Sequence, residues 1–330
     1  MKAPSSVKEN AEHLVEMEGL SKHFVSGSRL FKSLRATKAV NNVTLDIKPG
    51  EVLGLVGESG CGKSTLGRLI MKLHEPTSGT IRFEGREITN LKEHQLRPLR
   101  RDFQMIFQDP YASLNPRMTV RDILAKPYKV HGLPYNEQTI LELMELVGLN
   151  PSYINRYPHE FSGGQRQRIG IGRAVTLRPK LVVCDEPVSA LDVSVQAQIL
   201  NLLTELREKL GMAYIFISHD LSVVKHISDR IAVMYLGNIV EIKERDSFFK
   251  QPRHPYSQAL LSSIPVANPF IQRQRERVIL KGELPSPMNP PSGCPFHPRC
   301  PVAQDKCRDE FPELSDLGKG QFAACHYPID

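Results

Sequence analysis

The sequence predicts an α/β fold with a mainly parallel sheet and a Cys-containing, loop-rich C-terminal extension, and three observations lead to this prediction. Nearly uniform apolar runs, each typical of a buried strand, occur at 51–57, 180–186 and 212–218. A helical stretch at 195–210 lies between the last two runs, and this alternation is characteristic of parallel strands joined by crossover helices. Seven prolines interrupt any regular periodicity within 285–301, which predicts loops there.

The other elements follow from periodicity and turn residues. Residues 43–47, VTLDI, alternate apolar and polar side chains and indicate a strand with one exposed face. Pro49 and Gly50 predict a turn between this strand and the next. We also expect a helix over 63–73, short strands at 80–84 and 103–107, helices within 119–158 and a helix after Gly164.

Composition limits the location and the partners. The chain of 330 residues is 40% hydrophobic and carries 43 Lys and Arg against 36 Asp and Glu, a net charge of +7. No run of about 18 apolar residues predicts a membrane span, and the polar N-terminus does not resemble a secretory signal. We therefore expect a cytosolic protein. Because the cations do not form one block, nucleic acid is not an expected partner.

The segment GESGCGKST, residues 57–65, fits the pattern G-x-x-x-x-G-K-[ST] and stands between a predicted strand and a predicted helix. In this pattern the glycines let backbone N–H groups wrap around phosphate, the lysine reaches the β and γ phosphates, and the hydroxyl binds Mg²⁺. We expect the whole loop to contact the phosphates: Gly57, Glu58, Ser59, Gly60, Cys61, Gly62, Lys63, Ser64 and Thr65.

Two carboxylates end the predicted strand within LVVCDE. Beside a phosphate loop, Asp185 is expected to hold Mg²⁺ through water, and Glu186 is the candidate general base for the attacking water. The alternative is that these carboxylates cap the start of a helix, because Pro187 follows them.

Polar side chains also follow two other predicted strands. His219 ends the strand in FISHDL, and Gln108 follows FQMIF. Because parallel strands bring their carboxyl ends to one edge of the sheet, where ligands bind, we expect both side chains beside the phosphate loop. His219 would then sense the γ-phosphate, and Gln108 would touch both Mg²⁺ and the attacking water. A purely structural histidine is the alternative.

The segment FSGGQ, residues 161–165, places two glycines and an amide side chain at the expected start of a helix. The N-terminus of a helix presents unpaired N–H groups and a partial positive charge, so it favours an anion. The segment itself does not say which anion.

Together these motifs resemble the ATPase subunits of ABC transporters. The motifs occur in the order of that family: phosphate loop, Gln108, FSGGQ, DE at 185–186, SALD at 189–192 and His219. The resemblance covers about residues 12–258 and implies a P-loop NTPase of ABC type. Such a protein has a RecA-like, mainly parallel core, an antiparallel β subdomain and a helical subdomain, here at about 109–176. The extension then comprises 259–330.

The same resemblance implies roles for particular residues. In the ABC family two cassettes pair head to tail, and the signature loop of one closes over the γ-phosphate held by the other. Ser162, Gly163, Gly164 and Gln165 are therefore expected to bind ATP seated on a partner chain. The segment LSKHF resembles the strand that supplies an aromatic ring to adenine, which gives that role to Phe24. A core role for this ring is the alternative.

Two further segments resemble the C-terminal extension of dipeptide and oligopeptide importers: RHPYSQALLSSIP at 253–265 and LKGELPSPMNPPSGCPFHPRC at 280–300. The resemblance implies ATP-driven import of peptides or related small solutes. It also implies a second ABC ATPase, often non-identical in such importers, two transmembrane permease subunits and an extracytoplasmic solute-binding protein. The chain would then lie peripherally at the cytoplasmic face of the cell membrane.

Four cysteines of the extension have the spacing C-x5-C-x6-C-x17-C: Cys294, Cys300, Cys307 and Cys325. In a reducing cytosol such a group indicates metal binding, and four thiolates suit a 4Fe–4S cluster or zinc. The spacing matches neither a zinc ribbon nor a compact ferredoxin, and nearby histidines could replace a thiolate. The resemblance favours the 4Fe–4S cluster, with zinc and metal-free thiols as alternatives. The expected role is structural, because so short a Pro-rich segment buries little core.

The resulting hypothesis is a chemomechanical ATPase, and three rival functions are weighed against it. A translation-associated ABC protein generally carries two cassettes in one chain, and this sequence has one set of motifs. A soluble ABC ATPase of DNA maintenance would carry a long coiled coil inside the cassette, yet only 53 residues separate Gln108 from Ser162 and they show no heptads. An exporter ATPase is the nearest alternative, and the resemblance of the extension argues against it.

Overall fold

The computed structural model describes residues 12–26, 35–264, 280 and 282–329. The strands in these ranges are β1 (Val15–Ser26), β2 (Arg35–Ile47), β3 (Val52–Val56), β4 (Ser78–Phe83), β5 (Arg86–Glu87), β6 (Phe103–Ile106), β7 (Leu181–Asp185), β8 (Ala213–Ser218), β9 (Arg230–Tyr235), β10 (Asn238–Glu244), β11 (Ser315–Asp316) and β12 (Phe322–Ala323).

The helices in the same ranges are α1 (Lys63–Ile70), α2 (Glu93–Leu96), α3 (Pro110–Ser113), α4 (Val120–His131), α5 (Glu137–Leu146), α6 (Gly163–Val175), α7 (Val193–Leu210), α8 (Leu221–Ile227), α9 (Arg245–Lys250), α10 (Pro255–Ser262) and α11 (Lys306–Asp309). Short 3-10 turns occupy Leu99–Arg101, Pro151–Tyr153, Pro158–Glu160 and His297–Arg299. None of the described helices is long and apolar enough to cross a membrane.

The N-terminal strands form an antiparallel sheet in the order β2-β1-β4-β5. At the end of β2, Val43, Leu45 and Ile47 are buried whereas Thr44 is exposed, so the alternation that predicted this strand corresponds to its two faces. The pairing of β1 with β2 shifts register three times between Met17 and His23. Such irregularities bend a sheet and increase its local twist.

The central sheet has the strand order β11-β12-β10-β9-β3-β8-β7-β6. The strands from β9 to β6 are parallel, and the other three pair antiparallel. Strand β3 sends Val52 and Val56 into one apolar cluster and Leu53 and Leu55 into the other. This strand is therefore buried on both faces, which explains its uniformly apolar sequence.

The parallel strands place the polar motifs at one edge. β3 leads into the phosphate loop, β7 ends at Asp185, β8 ends just before His219, and β6 ends two residues before Gln108. The register of β3 on β8 and of β7 on β8 keeps these carboxyl ends level, since Val56 pairs with Ser218 and Asp185 with Ile217. The ends of β6, β7 and β8 thus meet the loop that joins β3 to α1.

Two helical predictions differ from the structure in length, and backbone conformation explains both. The helix expected over 63–73 ends at Ile70, and Lys72 adopts a left-handed φ of 50° that no helix continues. The stretch expected to be helical over 119–158 contains α4 and α5. Gly132, with a φ of 65°, ends α4 as a left-handed cap.

The C-terminal extension packs directly on the cassette. β12 pairs with β10 and thereby joins the central sheet. The Phe296 ring lies 5.3 Å from the Tyr235 ring and 5.4 Å from the Tyr256 ring, measured between centroids. Phe296 and the buried Cys294 belong to the same apolar cluster as β9 and α10. The extension and the cassette therefore share a core.

Candidate functional site

A cavity of about 380 Å³ lies at the carboxyl edge of the parallel strands. The phosphate loop and the start of α1 form one part of its wall, and Gln108, Glu186 and His219 form another. Thr37 and Ala39 of β2 and Pro287 of the extension complete it. A larger cavity of about 650 Å³, between the antiparallel sheet and segment 311–314, contains none of the motif residues.

Two glycines of the phosphate loop approach neighbouring backbone closely. A Cβ on Gly57, whose φ is 153°, would lie 2.2 Å from the Met234 carbonyl oxygen, and one on Gly62, whose φ is 112°, would lie 2.1 Å from the Ala39 carbonyl oxygen. Any other residue at either position would push β9 or β2 away. The loop is thus seated against both sheets.

Lys63 is buried and folds back onto its own loop. Its Nζ donates hydrogen bonds to the Gly57 carbonyl oxygen at 2.7 Å and to the Glu58 carbonyl oxygen at 3.0 Å. The Cys61 sulfur lies 3.9 Å from the same nitrogen. Burial raises the pKa of the Cys61 thiol, so this cysteine is a neutral neighbour of the lysine.

Ser64 and Asp185 meet at the start of α1. The Ser64 hydroxyl donates a hydrogen bond to Asp185 Oδ1 at 2.7 Å. Burial raises the pKa of Asp185, partly offset by the Ser64 hydrogen bond and by the charges of Arg68 and Lys63. A hydroxyl and a buried carboxylate are ligands suited to Mg²⁺, so the residues present fit this ion.

Glu186 forms the centre of a three-residue group. Gln108 Nε2 donates to Glu186 Oε2 at 2.9 Å, and His219 Nδ1 lies 3.3 Å from Glu186 Oε1. The Glu186 side chain is 15% exposed and that of His219 is 56% exposed. The carboxylate therefore lies inside the cavity wall, whereas the imidazole reaches outward.

The backbone of Glu186 adopts a left-handed φ of 47°, which is rare for a residue with a side chain. Its N–H donates to the Ile217 carbonyl oxygen of β8 at 3.1 Å. This bond holds the residue in the unfavourable conformation and directs its carboxylate toward Gln108 and His219. The alternative that Glu186 merely caps a helix has no support here, since the capping residue of α7 is Asp192.

The FSGGQ loop begins α6 with a capping box. The Ser162 hydroxyl accepts from the Gln165 N–H at 3.4 Å, and Gln165 Oε1 accepts from the Ser162 N–H at 3.0 Å. A Cβ on Gly164 would lie 2.5 Å from Val195 Cγ1, and one on Gly163 would lie 3.4 Å from Leu191 Cδ2. The loop therefore fits closely against α7 and the SALD segment. It does not line the cavity of its own chain.

Phe24 stands apart from the cavity lining. Its ring is 38% exposed, packs edge-on against His74 at 5.5 Å and lies 5.1 Å from Lys22 Nζ. In the strand pairing Phe24 is opposite Thr37, which does line the cavity. The contact with adenine stays a prediction.

The cysteines of the extension do not form the predicted metal site in this structure. In the described part of the chain, no group of three or more His, Cys, Asp or Glu side chains is arranged to hold a metal ion. All four thiols are free. Burial raises the pKa of Cys294 and of Cys325 to about 11.

Glu58 connects the phosphate loop to residues that sequence reasoning missed. Its N–H donates to the Tyr256 hydroxyl at 2.9 Å, and its carboxylate accepts two hydrogen bonds from Arg299. Tyr256, Arg299 and Pro287 lie within the segments that resemble peptide importers, but no motif gives them individual roles. Tyr256 lies 198 positions from Glu58 in the sequence and Arg299 lies 241 positions from it, so only the folded structure shows these contacts.

Comparison with known proteins identifies the family. The family model of ABC transporters matches residues 40–189, and the model of the C-terminal region of oligopeptide/dipeptide transporters matches residues 240–307. The oligopeptide transport ATP-binding protein AppF of Bacillus subtilis (strain 168) is 53% identical over 322 residues, which cover 96% of this chain and 98% of that protein. The chain belongs to the ATP-binding subunits of ABC transporters.

Other relatives agree with this membership. The YkfD protein of the same organism is 54% identical to this ABC ATPase over 318 residues, 95% of each chain. The dimeric ATP-binding cassette MJ0796 in a post-hydrolysis state with ADP and Pi is a structural neighbour, with a TM-score of 0.62 and 29% identity over 70% of this chain and 98% of that one. The predicted family and fold are confirmed, and so is the prediction of an ATPase coupled to transport.

Proposed function

We propose that this ABC ATPase powers the import of di- and oligopeptides, or of related small solutes, by ATP-driven closure of a head-to-tail dimer. The observation that carries the substrate class is the extension. The segment 240–307 matches the model of oligopeptide/dipeptide transporters and lies outside the ABC match at 40–189. The name of AppF, a relative at 53% identity, supports the same class.

The phosphate loop supplies the binding step. Lys63 leaves the carbonyl oxygens of its own loop and turns to the β and γ phosphates, which offer stronger, charged acceptors. Ser64 and Asp185, which are joined by a hydrogen bond, would hold Mg²⁺. When bound, the ion would supply charge that neutralises the phosphates during transfer.

Glu186 supplies the hydrolytic step. Its carboxylate accepts the proton of the attacking water, and Gln108, which donates to that carboxylate, orients the water. His219, whose Nδ1 lies 3.3 Å from Glu186 Oε1, would contact an oxygen of the γ-phosphate through its other ring nitrogen, Nε2. Phosphoryl transfer depends mainly on positioning and charge, and these three residues supply both.

The signature loop supplies closure between two chains. Ser162, Gly163, Gly164 and Gln165 lie outside the cavity of their own chain, so they are free to meet ATP held by a second ABC ATPase. We infer that this second ATPase, which in such importers is often non-identical, assembles with two permease subunits and a solute-binding protein. The complex would hold this chain peripherally at the cytoplasmic face of the membrane.

Gentle purification from native membranes tests this assembly. The chain is extracted in detergent, its partners are identified by mass spectrometry, and ATP turnover is measured with and without peptides and the binding protein. Two multi-span proteins, a second ATPase and peptide-stimulated turnover are expected. Multi-span partners without a binding protein would indicate an exporter, and ribosomes, DNA or no membrane partner would contradict transport.

We also propose that the four cysteines of the extension hold a 4Fe–4S cluster, with zinc as the alternative. The donor set fits, because four thiols are the usual ligands of such a cluster. They occupy one short segment with the spacing C-x5-C-x6-C-x17-C. When bound, the group would cross-link a Pro-rich segment that has little regular structure.

Metal analysis of anaerobically purified protein tests this second proposal. We expect iron and acid-labile sulfide, lost in the Cys300→Ser/Cys307→Ser double variant and kept in Cys184→Ala, which changes a buried cysteine of β7. Stoichiometric zinc would establish the alternative. Absence of both metals from anaerobic protein with free thiols would contradict metal binding.

A further inference from the structure

The C-terminal extension contacts the phosphate loop at the Glu58 side chain. Arg299 Nη1 donates to Glu58 Oε2 at 2.9 Å, and Nη2 donates to Oε1 at 3.1 Å. This two-bond geometry fixes the orientation of both groups, unlike a single ion pair. The side chain of Arg299 is 9% exposed and that of Glu58 is 28% exposed, so the pair is shielded from solvent.

A packed support holds the guanidinium in place. Arg299 ends the 3-10 turn His297–Arg299, which follows Phe296, and the Phe296 ring packs against Tyr235 and Tyr256. The two hydrogen bonds to Glu58 and the adjacent Tyr235 hydroxyl raise the pKa of Arg299 above its usual value. Tyr256 in turn accepts the Glu58 N–H. The extension and α10 therefore hold Glu58 by its backbone and by its side chain.

The pair keeps a negative charge away from the phosphate cavity. Glu58 precedes Ser59 and Gly60, which line the cavity, but Glu58 itself does not line it. A carboxylate in a phosphate loop repels the phosphates if it is unpaired or turned toward them. Its bonds to Arg299 neutralise it and direct it into the interface with the extension.

We propose that Arg299 is a positioning residue of the nucleotide site: by pairing with Glu58 it shapes the phosphate loop, so that ATP affinity depends on the folded extension. This inference rests on the proposed nucleotide site. Within the part of the chain that the structure describes, Arg299 bonds to Glu58 and not to Gln108, Glu186 or His219, so it acts on binding more than on the chemical step. Pro287, whose carbonyl oxygen accepts the Lys38 N–H at 3.2 Å, brings a second part of the extension to the same cavity.

Binding of Mg²⁺-ATP to the full-length chain, measured by titration calorimetry, tests the inference. Arg299→Gln is expected to weaken binding about 10- to 100-fold, the range for removing one partner of a charge-assisted pair. Arg299→Lys, which keeps the charge but not the two-bond geometry, should fall between that variant and wild type. In the assembled complex KM for ATP should rise while kcat changes less than about threefold, because the hydrolytic residues are untouched.

Removal of the charge that Arg299 neutralises provides the decisive comparison. In the Glu58→Gln/Arg299→Gln double variant, ATP affinity should return to within about threefold of Glu58→Gln alone, since no carboxylate remains to repel the phosphates. The double variant can still be compared with Glu58→Gln if Arg299→Gln alone fails to fold. A merely structural role for Arg299 would lower stability without any recovery of affinity in the double variant.

Two controls separate the possible failures. Arg308→Gln, which changes an exposed arginine of the same extension, should bind ATP as wild type does. Lys63→Ala should bind no ATP; if it binds normally, the proposed nucleotide site is wrong. If Lys63→Ala fails to bind but Arg299→Gln binds as wild type, or if the double variant shows no recovery, only the positioning role of Arg299 is overturned.

Discussion

Gln108 and Glu186 are 78 residues apart in the chain, yet the Gln108 amide donates a hydrogen bond to the Glu186 carboxylate at 2.9 Å. The two residues follow adjacent parallel strands, β6 and β7, and their backbones reach the same edge of the central sheet. His219, after β8, completes the group. The proposed chemistry therefore depends on strand order, and it can be tested residue by residue.

The first prediction concerns Glu186. Glu186→Gln preserves the shape of the side chain and the hydrogen bond to Gln108 but removes the group that accepts a proton from water. ATP binding should be unchanged, and turnover of the assembled transporter should fall about 10²- to 10⁴-fold, the usual contribution of a general base. Single-turnover hydrolysis and equilibrium ATP binding measure the two quantities. Turnover within about tenfold of wild type would remove Glu186 from the role of base.

The second prediction concerns Ser64, which donates to Asp185 at 2.7 Å. Ser64→Ala removes an expected Mg²⁺ ligand and leaves Asp185 without this donor. The Mg²⁺ concentration for half-maximal ATPase activity should rise about tenfold or more, in keeping with the loss of one interaction to a charged group. A Mg²⁺ titration at saturating ATP measures the shift.

Ser59→Ala is the matched control for this prediction. Ser59 lies in the same loop and also lines the cavity, but its hydroxyl is not bonded to Asp185. The control should keep the wild-type Mg²⁺ dependence. Equal shifts in both variants would argue against a specific role for Ser64.

The third prediction uses two glycines of α6. A Cβ on Gly164 would lie 2.5 Å from Val195 Cγ1, whereas a Cβ on Gly170 has no atom within 4 Å outside its own helix. Gly164→Ala should lower the free energy of unfolding by about 1–3 kcal/mol through overpacking. Gly170→Ala should be neutral or stabilising by up to about 1 kcal/mol, because alanine favours the helix. Urea denaturation of both variants measures the difference.

A compensating change tests the reason for that destabilisation. Gly164→Ala/Val195→Ala removes the methyl group that the new Cβ meets. The double variant should therefore lose less unfolding free energy than the sum of the losses in the two single variants. Additive losses would show that Gly164 matters for a reason other than its contact with α7.

The fourth prediction concerns pH. His254 is buried, its Nδ1 accepts the Tyr256 N–H at 3.0 Å, and burial lowers its pKa to about 3. Between this value and the pKa of about 6.5 in the unfolded chain, the histidine is protonated in the unfolded state but neutral in the folded state. Its contribution to the free energy of unfolding is therefore fully present above pH 6.5 and is lost as pH falls. The loss contributed by His254 approaches about 1.4 kcal/mol per pH unit within this window.

His254→Asn keeps a hydrogen-bond acceptor at the start of α10 but cannot be protonated. The difference in unfolding free energy between wild type and this variant should therefore shrink or reverse as pH falls from 7 to 4. Chemical denaturation at several pH values measures it, and other groups, such as the buried Glu241, contribute similarly to both proteins. A difference that does not change with pH would contradict a buried neutral histidine.

Sequence reasoning located several parts of the fold that have a local cause, although it did not predict β9, whose residues after Arg230 are all buried. β3, β7 and β8 are fully buried and are apolar except at the ends of β7 and β8. The phosphate and FSGGQ loops contain glycines where neighbouring atoms leave no space for a Cβ. β10 was not predicted, because its residues Asn238–Glu244 include a buried Glu241 and a buried Lys243 that break the apolar pattern. Glu241 is satisfied there by the N–H groups of Arg253 and His254, which no local pattern reveals.

Contacts between distant segments could not be predicted either, because no local sequence pattern specifies them. The bonds of Glu58 to Tyr256 and Arg299 depend on how α10 and the extension pack, and nothing near Glu58 in the sequence specifies them. The left-handed φ of Glu186 likewise depends on its bond to β8. The sequence therefore predicted which polar residues lie at the strand ends. The residues that hold them in position became visible only in the structure.

The short strands at the margins of the central sheet have a consequence for solubility. At one edge of the sheet, β6 has four residues. At the other edge, β11 and its neighbour β12 have two residues each. Short edges offer few free N–H and C=O groups for pairing with another molecule. Without the extension, the seven-residue β10 would become the outermost strand on that side. The extension thus also shields the sheet from edge-to-edge aggregation.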